Sequence, residues 1–91
     1  MERRTVGSVE VIALSDNLQA YPATAVYPEA GQELEQFRGY CDAEGGVPLN
    51  FGCFLVRDGA TTILVDTGYG ASHGGRLLDE LAAAEVALDS V

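Results

Sequence analysis

The 91-residue chain carries five Arg and Lys residues against 14 Asp and Glu, a net charge of −9 with its single histidine neutral. So few cations exclude a phosphate-gripping nucleic-acid surface and disfavour an anionic membrane. A hydrophobic content of 47% excludes wholesale disorder, and this length supports one core with little margin.

Cys41 and Cys53 are the only cysteines and form no Cys-x-x-Cys. Secreted disulfide-framed domains usually carry more, so the expected setting is cytoplasmic with free thiols. A Cys41–Cys53 disulfide is the alternative. Met1 to Thr5 leads into an alternating segment, and neither a signal peptide nor a membrane span is read.

Val9 to Leu14 (VEVIAL) reads as a strand that stops at Ser15-Asp16-Asn17. Val9, Val11 and Ala13 share one face, and Ile12 and Leu14 the other. Residues 18 to 50 hold all three prolines and three of the four tyrosines. They read as a long connection with a helical turn or two around Gln32 to Phe37. Phe51 to Arg57 and Thr61 to Asp66 predict a hairpin turning at Asp58-Gly59-Ala60. Thr67 to Gly75 (TGYGASHGG) is a glycine-rich turn. Arg76 to about Leu88 predicts a helix with Leu77, Leu78, Leu81, Ala84 and Leu88 on one stripe and Glu85 at its edge.

These elements leave a burial shortfall. A helix is about 10 Å across and strands lie about 4.8 Å apart, so one helix covers roughly two strands on one side. Both hairpin strands are apolar on both faces, and nothing else in the pattern supplies a second layer. The chain is therefore expected to be incomplete as a folding unit, or to be a homo-oligomer.

The run Pro48-Leu49-Asn50-Phe51-Gly52-Cys53-Phe54-Leu55-Val56, the hairpin, Asp66-Thr67-Gly68 and the Arg76-Leu77-Leu78 helix together resemble the first part of a metallo-β-lactamase-fold hydrolase. They are most similar to the lactonase-like branch. The opening Val11 to Asn17 suits that branch too. The resemblance implies an α+β fold: the N-terminal part of an αββα sandwich, with an antiparallel or mixed sheet and one C-terminal covering helix. It implies a domain over residues 1–91 that ends before the family's His-x-His-x-Asp-His motif. It further implies zinc or another divalent metal in the full-length parent, with none bound by this chain alone. Asp66 carries over as the carboxylate beneath the metal site that orients it by hydrogen bonding. Thr67 and Gly68 carry over as the turn that permits this approach.

Two other readings of Asp66 stand beside that one. Asp-Thr-Gly after an apolar strand is also the aspartic-protease signature, but only 25 residues follow and they read as a helix, where that fold needs strands. The plain reading is a strand-ending Asp that caps the following amides. Tyr21, Tyr27, Phe37 and Tyr40 either line a substrate pocket or cover the sheet. His73 reads as a solvated loop histidine, Cys53 as a small buried hydrophobe, and Cys41 as a thiol that neighbouring acids keep protonated. Gly70, Gly74 and Gly75 lack the spacing and the lysine of a phosphate loop. The expectation is a fragment of a metal-dependent ester or lactone hydrolase, inactive alone, with a small-molecule substrate in the parent. The alternative is a non-catalytic, self-associating interaction domain.

Overall fold

The computed structural model describes residues 1–91. Four antiparallel strands form one sheet in the order β1-β2-β3-β4, and with a few short helices this makes the chain α+β. The strands are β1 (Arg3–Val6), β2 (Val9–Pro22), β3 (Gly46–Asp58) and β4 (Thr61–Val65). The helices are α1 (Ala23–Val26) and α2 (Leu77–Ala83), with 3-10 segments at Gly31–Tyr40, Ala71–His73 and Leu88–Ser90. No helix is long and apolar enough to cross a membrane. The chain divides into two units, Met1–Asn17 with Phe51–Val91, and Leu18–Asn50.

In the first unit, β1 turns into β2 through Gly7-Ser8, with Val6 opposite Val9 and Gly7 at φ +63°. β3 turns into β4 through Gly59-Ala60, with Asp58 opposite Thr61 and Gly59 at φ +59°. Two-residue connections with a glycine at positive φ match the right-handed twist of the flanking strands. Strand alternation then sorts the side chains by face. Ile12, Leu14, Cys53 and Leu55 are buried together with Leu81, Ala84 and Val86, and Leu64 and Leu77 pack against them.

The opposite face has no such cover. Register places Phe54 opposite Val65 and Val56 opposite Ile63. Phe54, Ile63 and Val65 are 46%, 51% and 48% exposed, and Val6, opposite Val9, is 71% exposed. The shortfall read from the sequence is thus a bare apolar sheet face, of the kind that marks an interaction surface in soluble proteins.

Several elements differ from the sequence reading. β1 was not expected as a separate strand. β2 does not stop at Ser15-Asp16-Asn17 but continues to Pro22, with Asp16 inward on the Ile12/Leu14 face. The connection from 18 to 50 is largely structured, because the ends of β2 and β3 extend into it. Within this second unit, the Ala23 N–H donates to Gly45 O at 3.1 Å. Asp42 Oδ1 accepts the Glu44 and Gly46 N–H groups at 2.9 and 2.7 Å. The turns expected around Gln32 to Phe37 lie inside the 3-10 run, which is kinked at Phe37.

The helix is shorter than its apolar stripe suggested. α2 ends at Ala83, and Glu85 takes φ +58°. The Val86 N–H donates back to Leu81 O at 2.9 Å and the Glu85 N–H to Ala82 O at 3.0 Å. That pair of bonds is a Schellman stop, whose left-handed position normally holds glycine. The reversal sends Val86 into the core; Leu78 in the first turn of α2 and Leu88 beyond the reversal are 61% and 63% exposed, so the expected stripe is broken. Glu85 pays a steric cost at this position that glycine avoids. Glu85→Gly is therefore expected to stabilise the protein by about 1 kcal/mol, read as a rise in the urea midpoint at unchanged m-value.

Candidate functional site

The loop from Asp66 to Arg76 leaves the end of β4 and returns to start α2. Its eleven residues, four of them glycine, have little packing of their own to fix them. What fixes them is Asp16, which is completely buried. Its Oδ2 accepts the Tyr69 N–H at 2.7 Å, and its Oδ1 accepts the Arg76 and Leu77 N–H groups at 2.9 Å each. Arg76 N–H also reaches the Asp16 main-chain oxygen at 2.9 Å. No side chain of α2 itself caps its N-terminus, so a carboxylate on β2 takes that part. One turn further on, Glu80 Oε2 accepts the Ser15 N–H at 3.1 Å.

The glycines are what let the loop close on this carboxylate. Gly68 has φ +69°, and a Cβ there would overlap the Asp16 carboxylate. A Cβ at Gly75 would come within 2.8 Å of Asp16 Oδ1. Asn17 Nδ2 donates to Gly74 O at 3.3 Å, and the Tyr69 ring meets Phe51 edge-on with centroids 4.7 Å apart.

Asp66 is held at φ +73° immediately after β4. Asp is one of the few non-glycine residues that tolerates this region, because its side chain bonds locally. Here Oδ1 accepts the Gly68 N–H at 2.8 Å. The Asp66 carboxylate is exposed, as are Thr67 and Gly68. Thr67 borders a cavity of about 300 Å³ that also touches Asp16, Gly75 and Arg76.

Tyr27, Phe37 and Tyr40 border one cavity of about 360 Å³ in the Leu18–Asn50 unit. Tyr21 is not among its lining residues; its hydroxyl donates to Gln19 Oε1 at 2.9 Å. His73 is exposed, with Nδ1 3.1 Å from Ser72 Oγ. Cys41 and Cys53 are both free thiols, which sets aside a disulfide between them. No group of three or more His, Cys, Asp or Glu side chains is arranged to hold a metal ion, so the residues present do not form a metal site.

Sequence reasoning missed Asp16. Its turn-forming neighbours Ser15 and Asn17 drew attention to a strand end. The usable signal was the spacing Ile12, Leu14, Asp16, which continues a buried alternation into a carboxylate. Comparison with protein-family models, curated proteins and solved structures found no match.

Asp16→Asn replaces one acceptor oxygen with a donor that must face a buried N–H. The expected loss is about 2–4 kcal/mol, seen in chemical denaturation and as weakened protection of the 66–76 loop against proteolysis.

Burial pushes the Cys53 thiol above its ordinary value of 9.0, and the Asp66 and Asp16 carboxylates push it the same way. The folded protein thus keeps this proton where the unfolded chain loses it. Stability from this group is intact below the unfolded value and falls as pH rises through it. Wild type is expected to lose more stability than Cys53→Ala between about pH 8 and 10. In native protein a thiol reagent should label half-buried Cys41 and reach Cys53 only on unfolding.

Proposed function

We propose that residues 1–91 are the N-terminal part of a metallo-β-lactamase-fold hydrolase of the lactonase-like branch, a cytoplasmic enzyme acting on an ester or lactone. The observation that carries this reading is the bare apolar face opposite α2. A sheet with Phe54, Ile63 and Val65 uncovered and Val56 only half-buried beside them is what one half of a layered sandwich presents before its second sheet is added. The Asp66 turn supports it further. Its exposed carboxylate spends Oδ1 on Gly68 and leaves Oδ2 open to a donor from another part of a larger site.

The parent's divalent metal, zinc being the expected ion, would supply activated water for hydrolysis. Its ligands would lie outside residues 1–91. What these residues contribute is position: Asp16 fixes the glycine loop, and the loop fixes Asp66 at the end of β4. These 91 residues alone would be inactive.

The same bare face favours a second reading, a self-associating interaction domain without catalysis. The coding frame beyond Val91 separates the two. The hydrolase reading expects a further strand followed by His-x-His-x-Asp-His. It also expects the extended chain to bind zinc stoichiometrically and to hydrolyse a lactone or aryl ester, while the 91 residues do neither. A frame lacking that motif, with a discrete, cooperatively unfolding dimer of the 91 residues in light scattering, would transfer the assignment to the interaction domain. Zinc-dependent turnover by the 91 residues alone would contradict the ligand assignment.

A further inference from the structure

We propose that the cavity in the Leu18–Asn50 unit binds an organic cation, an N-alkylated ammonium carrying an apolar body. The inference does not rest on the hydrolase reading. It begins with the local geometry of Gly31–Tyr40. A 3-10 segment has about three residues per turn, so residues three apart share a side. Leu34 and Phe37 have that spacing, Tyr40 follows the kink at Phe37, and all three line the same cavity. The Phe37 and Tyr40 rings have centroids 6.4 Å apart and planes inclined at 41°. Tyr27, following α1, lines the cavity as a third aromatic residue.

The three rings are open to solvent, with Tyr27, Phe37 and Tyr40 at 54%, 53% and 79% exposure. The cavity of about 360 Å³ lies within the range that accommodates small organic ligands. Its lining is mainly apolar, so it favours a ligand with a hydrocarbon body.

Charge decides the head group. Glu33 is the charged residue in the lining. The unit carries Glu29, Glu33, Glu35, Asp42 and Glu44 against a lone cation, Arg38, which is bonded to Glu35 at 2.9 Å. An anionic ligand would enter a negative field with no free guanidinium to receive it. A neutral ligand would gain only apolar contact. A cation gains the negative faces of aromatic rings together with the Glu33 carboxylate. Quaternary and tertiary ammonium groups suit such a site because they are weakly hydrated and present methyl groups to the rings.

The test is an NMR titration of the full 91-residue protein with benzyltrimethylammonium, benzyl alcohol and phenylacetate as matched cationic, neutral and anionic probes. The expected result is saturable shifts of the 27–41 amides with the cation, at least about fivefold tighter than with benzyl alcohol, and none with phenylacetate. Glu33→Gln, an exposed substitution, should weaken the cation about threefold or more and leave benzyl alcohol unchanged. Tyr40→Ala should weaken both probes. Equal affinity for cation and neutral probe, no saturable shift with the cation, or indifference to Glu33→Gln would overturn the proposal.

Discussion

A single buried carboxylate organises the part of the molecule that holds the candidate site. Asp16 enters the apolar face of the sheet where alternation would place a Leu or Val, and burying a charge there is costly unless its oxygens are filled. Three main-chain N–H groups fill them, from Tyr69, Arg76 and Leu77. The same bonds satisfy the donors at the start of α2, which has no cap of its own. One residue on β2 therefore ties down a loop some fifty residues distant and starts the only helix that covers the sheet. Gly68 and Gly75 are the counterpart of this arrangement, since a side chain at either would collide with the carboxylate.

With the loop fixed, the sheet becomes one-sided. α2 and the Val86 reversal close one face over Ile12, Leu14, Cys53 and Leu55. The other face keeps large apolar side chains in contact with water. Apolar area of this kind contributes stability only when something removes it from solvent, at roughly 25 cal/mol per Å². Its presence on hairpin strands that also build the core is the physical reason to look for a further layer. That layer is further chain in the hydrolase reading and a second copy in the interaction-domain reading.

The hairpin and its glycine turn were legible because apolar strands and turn chemistry are local signals. The bare face was legible because Phe54, Val56, Ile63 and Val65 alternate with equally apolar partners. Helix length was misread for a reason visible in Glu85. Its charged side chain interrupts the stripe, yet nothing local signals that it will adopt the left-handed conformation glycine usually supplies. Asp16 was obscured in another way. Ser15-Asp16-Asn17 has turn composition, and only the tertiary donors at Tyr69, Arg76 and Leu77 make a strand there favourable. In the Leu18–Asn50 unit, three of the four aromatic residues singled out from the sequence line one cavity, while Tyr21 bonds elsewhere. Phe37, at the kink of the 3-10 run, and Tyr40, just beyond it, border that cavity together. Nothing in local composition distinguished Tyr21 from them.

Native-state hydrogen exchange tests the role of Asp16 most directly. If its carboxylate staples the loop, the amides of Tyr69, Arg76 and Leu77 will exchange as slowly as the central amides of β3 and β4, opening only with global unfolding. Exchange of these three amides at the rate of the exposed glycine loop around them would contradict the account.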